Sequence, residues 1–539
     1  MVSVAERLVE LLRELGVRYV FGIPSGPWIP YMEAMRTGGV EFVLVSNEAS
    51  AGFMADVCAR LTGVPGACYG TFGPGATNLS TGVGGALLDR SPLLAFTTEP
   101  PEAMLGRKLQ MAIDHQALYR PLTKWTTRLK PDRVDETLYQ AVQIATSEVP
   151  GPVHIGLPAD IGEQAAAAGE FTPPAPSPVS PPDPKLLDQA ITLFRQARRP
   201  LLAVGLTAMR AKAWDLVRQI AERHRVPVVL TPMAKGIIPE DHPCYAGVLF
   251  HALSDRVAET HGEADLVIGI GYDPIEFNYE DWMPEVPLVH IDTTPADIDR
   301  SSYTLACDLV GDLRISLEHF ASLEPTAKDW DLAALAGRRK RMFEALQPSA
   351  GTFGPRAALS ILREILPADG VMTCDVGAHT HLIGQQWPTP APGLQLMTNG
   401  WSSMGFGIPA AIAAKLCLPE RPVACVTGDG GFLMMVGEMA TALRLGVHVV
   451  FVLLADHSLE LIRIKQERKG FARYGTPLHD ERYASAETFF GVPVLLARDT
   501  ESYRAALEEA FAMEGPVIVE AFIDGAEYDG LVLRRHKAR

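Results

Sequence analysis

The feature that most constrains the fold is a repeated alternation of helical and strand-like segments in which each strand runs into a glycine-rich turn. Residues 4–15 place apolar side chains at helical spacing, and a short strand at 17–21 then enters the turn GIPSG. Comparable strand-then-glycine units follow at 67–75, 201–205, 264–271, 371–377 and 423–430. This alternation predicts βαβ units, and therefore parallel sheets with helices on both faces. Ligands bind such sheets at the carboxyl ends of the strands, where these turns lie.

Proline marks the clearest boundary between domains. The stretch TPPAPSPVSPPDP contains seven prolines, which neither a helix nor a central strand tolerates, so it predicts an extended linker. A softer boundary follows the charged helical stretch at 327–347. The sequence therefore predicts three doubly wound, parallel-sheet α/β domains at 1–165, 185–325 and 345–525, with a linker at 166–184 and a tail at 526–539.

Charge and cysteine content exclude several classes of protein. Forty-eight basic against 64 acidic side chains give a formal charge of −16, which argues against a nucleic-acid or anionic-membrane partner. Seven scattered cysteines without a CxxC pair argue against a zinc site or a disulfide framework. The amino-terminal helix carries charges throughout, unlike a signal peptide, and the longest apolar runs have only strand length. We therefore expect a cytoplasmic protein without membrane spans.

The strongest chemical signal lies in the predicted third domain, which reads VACVTGDGGFLMM and then VHVVFVLLADHSLELI. One buried strand delivers Gly428, Asp429 and Gly430, and a second strand delivers Asp456 twenty-seven residues after Asp429. We expect both carboxylates at the carboxyl ends of neighbouring parallel strands. The glycines let the backbone approach a diphosphate, and the two carboxylates can hold a hard cation such as Mg²⁺. As isolated features, both aspartates would be ordinary turn or cap residues.

This pattern resembles the diphosphate-binding motif of the thiamine-diphosphate enzymes, and nearly the whole chain is similar to their acetolactate synthase branch. The resemblance implies that Asp429, Asp456 and the backbone carbonyl of Ser458 are metal ligands. The segment SNEASAGFMADVCARLTG resembles the family's segment around its catalytic glutamate and puts Glu48 at that position. In the family this carboxyl bonds N1′ of the aminopyrimidine ring and so activates the cofactor towards a carbonyl substrate. By itself, a glutamate that opens a helix is only a favourable first-turn charge.

Three further segments supply the other cofactor contacts that the resemblance implies. YGTFGPGATNLSTGVGGALLD resembles the turn on the pyrimidine side, and the segment after the 371–377 strand resembles the family's VGQH. NGWSSMGFGIPAAIAA resembles the segment that supports a bent cofactor, with Met404 as the apolar wedge and the Ser402 carbonyl as acceptor for the 4′-amino group. A tight turn and core packing are the structural alternatives. The implied contacts are Gly73, Pro74, Gly75, Asn78, His379, Ser402, Met404, Gly428 and Gly430.

The sequence departs from the family where the substrate is expected to bind. Catabolic acetolactate synthases carry a lysine soon after their GIPG turn, whereas GIPSGPWIP has Pro27 at about that position. The catalytic glutamate is usually flanked as His-Glu-Gln, and here the segment reads Asn-Glu-Ala. Surface or capping roles are the alternatives for the histidine and for the charged helix among the candidates. The candidate substrate contacts are Ser25, Pro27, Trp28, His115, Glu460 and Arg463.

The resemblance implies a thiamine-diphosphate- and Mg²⁺-dependent carboligase that decarboxylates a 2-oxoacid, with pyruvate as first choice, and joins the product to a second carbonyl. A decarboxylase or carboligase for another 2-oxoacid or an aldehyde is the alternative that the substrate-pocket departures favour. An inactive structural or regulatory paralogue is more remote. A nicotinamide dehydrogenase would need a complete GxGxxG after a strand, which we do not find.

Two further expectations concern flavin and assembly. The middle-domain segment GYDPIEF is more similar to the catabolic, flavin-independent acetolactate synthases, so FAD is not favoured. The family builds each site from the first domain of one chain and the third domain of another. The resemblance therefore implies a homodimer or homotetramer with sites at the chain interface.

Overall fold

Three separate sheets of six, six and seven strands organise the chain. The computed structural model describes residues 2–167, 178–478, 481–484 and 487–531. Every strand pairing in these residues is parallel except the one between the last two strands at one edge of the third sheet. The predicted α/β class with three parallel sheets is confirmed. Part of the predicted linker, 168–177, and the end of the predicted tail, 532–539, lie outside the described residues.

The first sheet has the strand order β2-β1-β3-β4-β6-β5. Its strands are β1 Tyr19–Gly22, β2 Glu41–Leu44, β3 Gly66–Gly70, β4 Leu93–Glu99, β5 Trp125–Arg128 and β6 Pro152–Pro158. The accompanying helices are α1 Val4–Glu14, α2 Ile29–Gly38, α3 Glu48–Thr62, α4 Pro74–Leu88, α5 His115–Tyr119 and α6 Val134–Thr146. The predicted helix at 4–15 thus forms α1, which begins at a capping box of Ser3 and Glu6.

The second sheet has the strand order β12-β11-β10-β7-β8-β9. Its strands are β7 Pro200–Val204, β8 Val228–Leu230, β9 Tyr245–Val248, β10 Leu266–Ile270, β11 Leu288–Asp292 and β12 Leu305–Val310. Its helices are α7 Pro184–Gln196, α8 Leu206–Arg210, α9 Trp214–His224, α10 Ser254–His261 and α11 Leu313–Ala321, and α12 Leu332–Ala345 leads onward. The crossovers diverge between β7 and β10, which makes this point the switch point of the sheet.

The third sheet has the strand order β14-β13-β15-β16-β19-β18-β17. Its strands are β13 Val371–Cys374, β14 Gln395–Leu396, β15 Val423–Gly428, β16 Val450–Ala455, β17 Thr488–Phe489, β18 Val492–Ala497 and β19 Val517–Phe522. Its helices are α13 Pro355–Ile365, α14 Ala378–Gln386, α15 Gly407–Cys417, α16 Asp429–Met435, α17 Glu438–Leu445, α18 Glu460–Arg468 and α19 Thr500–Ala512. After β19 the chain forms a one-turn helix in which Tyr528 is buried. Packed structure therefore continues past residue 525, where the sequence predicts the end of the third domain.

The first and third sheets share one apolar core, and α3 lies at its centre. Twelve of the fifteen residues of α3 are buried, because the helix packs against both α4 and α15. A Cβ added to Gly52 would lie 2.6 Å from the Gly82 Cα, so only glycine permits this approach of α3 to α4. Phe53 meets the Phe406 ring edge-on at 5.7 Å, which joins α3 to the segment before α15. No helix among the described residues combines the length and apolarity needed to cross a bilayer.

Candidate active site

The two aspartates of the predicted metal site lie beside each other at the carboxyl edge of the third sheet. They follow β15 and β16, which are parallel neighbours. Asp429 is the first residue of α16, and its carboxylate accepts backbone hydrogen bonds from Gly430 at 2.9 Å and from His457 at 2.7 Å. His457, directly after Asp456, has φ of 59°, so the backbone turns sharply here. This turn brings the β16 loop onto the Asp429 carboxylate.

Electrostatics at this edge disfavour two bare carboxylates. Burial, followed by the negative charges of Asp429 and Glu460, raises the pKa of Asp456 to about 9. Burial also raises the pKa of Asp429 to about 6. Among the described residues, no basic side chain forms an ion pair with either aspartate. The buried Ser458 hydroxyl has no hydrogen-bond partner among these described residues. A bound cation would relieve the repulsion between these carboxylates.

Close backbone approaches form a cradle around these aspartates. The His379 ring lies against two glycines: a Cβ added to Gly377 would lie 2.8 Å from its Cε1, and one added to Gly428 would lie 3.3 Å away. A Cβ added to Gly430 would lie 2.7 Å from the Met404 methyl carbon. Within the described residues the buried Nε2 of His379 has no hydrogen-bond partner, and burial lowers the pKa of His379 to about 4. A neutral imidazole and the Met404 side chain therefore flank the glycine-aspartate-glycine turn.

Asp375, which the sequence interpretation did not single out, organises this cradle. It follows β13, is fully buried, and accepts hydrogen bonds from the backbone of Val376 at 2.6 Å and of Gly405 at 2.8 Å. The Thr427 hydroxyl, at the end of β15, donates to the same carboxylate at 3.2 Å. Asp375 thereby joins two strand ends to the Met404 segment. Its position after a strand, within one of the strand-then-glycine units, is the signal that could have found it.

Glu48 is buried at the beginning of α3, in the first domain. The Asn47 side chain caps the helix by accepting a hydrogen bond from the Ala49 backbone at 2.8 Å. The Asn78 amide donates to Glu48 Oε2 at 3.1 Å, and a Cβ added to Gly75 would lie 3.2 Å from Oε1. The structure thus brings three predicted site residues of the first domain together around one carboxyl.

A second buried carboxylate, which the sequence analysis also did not identify, binds the backbone just before Glu48. Glu438 of α17 is completely buried, and its Oε1 accepts hydrogen bonds from the backbone of Ser46 at 3.0 Å and of Asn47 at 3.1 Å. The third domain therefore fixes the start of α3 within the same chain. Within the described residues, no hydrogen bond or ion pair joins Glu48 to Asp429, Asp456 or His379.

The glycine-rich turn before α4 needs its glycine. Gly73 has φ of +48°, and an added Cβ would lie 2.7 Å from the Met111 carbonyl oxygen. Pro74 is the first residue of α4, where proline suits the helix start. The Gly73 backbone donates to Nε2 of His115 at 3.3 Å. His115 therefore supports the turn from within the domain.

Both ring nitrogens of His115 are engaged in this way. Its Nδ1 lies 2.9 Å from the Thr97 hydroxyl, which also lies 2.7 Å from Nε2 of His154. Burial lowers the pKa of His115 to about 4, so the ring is neutral near pH 7. These two histidines and Glu99 offer three close ligand atoms. Glu99, however, forms an ion pair with Arg128 at 2.5 Å, so the cluster is a hydrogen-bonded network with its own countercharge.

The aromatic residue near the predicted substrate turn belongs to the core. Trp28 is fully buried and stacks on Tyr69, with ring centroids 3.9 Å apart, and on Tyr31 at 4.9 Å. The Ser25 hydroxyl lies 2.6 Å from that of Tyr69, while Pro27 is half-buried. The Trp28 ring thus fills the space between two tyrosines.

The arginine of the charged helix after the metal loop is paired with acidic side chains of the protein. Arg463 donates to Glu460 at 2.7 Å and to Glu467 at 2.7 Å, and it also pairs with Asp529. These three carboxylates, with Glu460 contributing most, raise the pKa of Arg463. Its guanidinium therefore already faces three carboxylates of the protein. Ser402, the predicted acceptor for the 4′-amino group, lies on another segment. It is exposed with φ of 50°, and its hydroxyl donates to the Asn399 carbonyl at 2.7 Å.

Comparison with known proteins agrees with this geometry along the chain. Three models of the thiamine pyrophosphate enzymes match in order: the N-terminal TPP binding domain at 2–118, the central domain at 187–320 and the C-terminal TPP binding domain at 375–521. Thiamine pyrophosphate is another name for thiamine diphosphate. The fold and the site thus define a thiamine-diphosphate enzyme.

Curated relatives narrow this class. The chain is 32% identical to the acetolactate synthase large subunit of Parasynechococcus marenigrum, over 96% of this chain and 84% of the relative. It is 30% identical to a probable acetolactate synthase large subunit of Methanocaldococcus jannaschii, over 97% and 92%, and 28% identical to the acetolactate synthase of Bacillus subtilis, over 96% and 93%. The chain belongs to the acetolactate synthase branch of the thiamine-diphosphate enzymes, a family of 2-oxoacid carboligases and decarboxylases.

Proposed function

We propose that this chain is a Mg²⁺-dependent acetolactate synthase that decarboxylates pyruvate and joins the two-carbon unit to a second pyruvate. The observation that carries the proposal is the pair of buried aspartates at neighbouring strand ends, in a chain similar to acetolactate synthases over nearly its whole length. The retained Glu48, Asp429 and Asp456 argue against an inactive paralogue, which would be expected to lose such groups.

The residues at the carboxyl edge of the third sheet suit a metal diphosphate. Asp429 and Asp456 offer carboxylate oxygens, which Mg²⁺ prefers, and the Ser458 carbonyl is the proposed third ligand. The buried Nε2 of His379 has no hydrogen-bond partner among the residues that the structure describes, and a diphosphate oxygen would supply one. The glycines of the turn keep the backbone free of side chains where the diphosphate would lie.

Glu48 is the proposed catalytic residue. Thiamine diphosphate, when bound, supplies a carbon nucleophile and an electron sink for decarboxylation. Glu48 would hold a proton at N1′ of the aminopyrimidine ring, and Asn78 orients its carboxyl through the 3.1 Å hydrogen bond. Met404 would support the cofactor between its two ends, and the Ser402 carbonyl would accept from the 4′-amino group. Asp375 and Glu438 are positioning residues, since they fix the segments that carry these groups.

The proposed site is shared by two copies of the chain. Within one chain, Glu48 and the aspartates belong to different domains and have no contact with each other among the described residues. Leu433 and Met434, on the helix that Asp429 opens, are 43% and 52% exposed. Apolar side chains exposed beside a buried polar site suit coverage by a second copy. We therefore propose a homodimer or a homotetramer.

Pyruvate is the proposed donor and acceptor, and the side-chain environment leaves a second substrate class to be tested. Arg463 already pairs with acidic side chains of the protein, and both ring nitrogens of His115 have internal partners, which disfavours either residue as the group that binds a substrate carboxylate. The half-buried Pro27 stands where catabolic enzymes have a lysine. If none of these three positions offers a positive charge to the substrate, the pocket would also accept a larger or less charged 2-oxoacid or an aldehyde.

Incubation with pyruvate, thiamine diphosphate and Mg²⁺ tests the substrate. We expect loss of pyruvate and appearance of acetolactate by mass spectrometry, and no loss when the metal is removed with EDTA. Acetaldehyde as the sole product would instead indicate a decarboxylase. Cofactor binding without loss of pyruvate would reject pyruvate and favour a bulkier 2-oxoacid or an aldehyde.

We further propose that the middle domain works without flavin. A dinucleotide would bind at the switch point between β7 and β10, with its phosphates at the start of the helix after β7. There the Thr207 amide of α8 already donates to the Gly271 carbonyl at 3.0 Å. A Cβ added to Gly205 would lie 2.7 Å from the same oxygen, so the two turns touch directly. This contact between the two turns supports a middle domain that binds no dinucleotide at the switch point.

The visible absorption spectrum of the purified protein checks this expectation. We expect no flavin bands, and acetolactate formation that added FAD does not stimulate. Bound flavin in the purified protein, or activity that depends on FAD, would contradict the proposal.

A further inference from the structure

Two cysteines from different domains meet at one edge of the shared core. Cys58 lies near the end of α3, and Cys417 is the last residue of α15. Their Sγ atoms are 3.1 Å apart, although the residues are 359 positions apart in the chain. A disulfide bond is about 2.05 Å long, so the sulfurs need to approach by only about 1 Å to form one.

The pair is accessible from one side. Cys58 is buried, whereas Cys417 is half-buried, and both line a depression at the protein surface. Arg18 and Tyr19 line the same depression. A small oxidant can therefore reach the Cys417 sulfur from solvent. The adjacent Cys58 sulfur can then react with the oxidised Cys417.

The local charges distinguish Cys417 from the other cysteines. The hydrogen bond with Cys58, and then the positive charge of Arg18, lower the pKa of the Cys417 thiol, while the pKa of Cys58 is raised. Burial raises the pKa of the remaining five, to about 11 for two of them, and all five are buried. Because the thiolate is the reactive form, Cys417 is the favoured nucleophile. The five are Cys68, Cys244, Cys307, Cys374 and Cys425.

We propose that Cys58 and Cys417 are a reversible oxidation site at which hydrogen peroxide converts the two thiols into a disulfide that joins the first and third domains. The Cys417 thiolate attacks a peroxide oxygen, the O–O bond breaks, and hydroxide leaves, which gives a sulfenic acid. The Cys58 sulfur then attacks the Cys417 sulfur, the S–O bond breaks, and the departing oxygen takes the Cys58 proton. The two thiols lose two electrons, and the peroxide is reduced to two waters.

The disulfide would tie together the carboxyl-terminal ends of two helices that frame the proposed active site. Glu48 is the first residue of α3, and Met404 lies just before α15. The bond would hold these helices in the arrangement found here, since the sulfurs already touch. This inference concerns the thiol pair alone and does not depend on the proposed substrate.

Counting thiols in the full chain tests the proposal. The reduced protein is treated with a small excess of hydrogen peroxide, quenched with catalase, denatured and alkylated with N-ethylmaleimide. We expect two fewer alkylated thiols than the seven of the reduced chain, and an intact mass before alkylation lower by two hydrogens. Dithiothreitol should restore all seven.

Three variants assign the bond. Neither Cys58→Ser nor Cys417→Ser should form a disulfide, whereas Cys244→Ser should still lose two thiols. Serine keeps the contact that the Cys244 thiol makes to the Ala221 carbonyl, so this control preserves the fold. Circular dichroism of each reduced variant establishes that it is folded. Seven alkylated thiols after peroxide treatment, added oxygen without loss of two hydrogens, or a disulfide in folded Cys417→Ser would each overturn the proposal.

Discussion

Replacing Glu48 by glutamine is expected to abolish turnover while leaving the affinity for thiamine diphosphate within about tenfold. Glutamine has the same shape and keeps an oxygen that can accept the hydrogen bond from Asn78, so α3 should begin as before. It cannot hold or return a proton at the aminopyrimidine ring. Proton transfer by a positioned side chain contributes about 10²- to 10⁴-fold, so the loss in kcat should be at least of this order.

The measurement pairs the rate of pyruvate loss with cofactor binding by calorimetry. Glu41→Gln is the matched control, because Glu41 is an exposed glutamate on β2 of the same domain and should retain full activity. Unchanged turnover in Glu48→Gln would remove Glu48 from the mechanism. Loss of cofactor binding together with turnover would instead assign Glu48 a role in binding.

Replacing Asp429 by asparagine is expected to raise the Mg²⁺ concentration needed for activity by about 100-fold or more, since even the partners of metal ligands change affinity by 10- to 100-fold. The carboxylate accepts backbone N–H groups on both of its oxygens, from Gly430 and His457. An amide has one oxygen, so its NH₂ group must face one of these donors. The variant thus loses a negative charge and also disturbs the loop that carries Asp456.

Titration of Mg²⁺ against both activity and thiamine diphosphate binding tests this expectation. Asp369→Asn is the control, since Asp369 is an exposed residue of the loop before β13 in the same domain. An unaltered Mg²⁺ requirement in Asp429→Asn would show that this carboxylate is not a metal ligand. We expect the titration curves for activity and for thiamine diphosphate binding to shift together.

The strand-then-glycine pattern predicted the sheets well because each unit contains its own local signals. The predicted strand at 17–21 is β1 at Tyr19–Gly22, and the unit at 423–430 became β15 followed directly by α16. Parallel pairing of β15 with β16 then determines that Asp429 and Asp456 share one edge. Local pattern and sheet geometry together were sufficient to place these two carboxylates at the same edge of the sheet.

Contacts between distant segments could not be predicted in this way. Trp28 follows a turn near the expected substrate site, yet it stacks between two tyrosines that only the folded sheet brings to it. Arg463 is neutralised in part by Asp529, which lies in the described part of the predicted tail. Glu438 reaches the chain before Glu48 from almost 400 residues away. Such partners depend on how domains pack, and the periodicity of one sequence carries no record of that packing.

Co-expression of Glu48→Gln and Asp429→Asn chains that carry different affinity tags tests most directly that Glu48 and the aspartates act in one site shared by two copies. The assay uses a Mg²⁺ concentration at which neither variant alone is active. Hetero-oligomers are isolated through both tags and assayed for acetolactate formation. If each site takes Glu48 from one chain and Asp429 from the other, a mixed dimer contains one intact site and one doubly altered site. We predict about half the activity of the unaltered dimer. Hetero-oligomers as inactive as either variant alone would contradict the account.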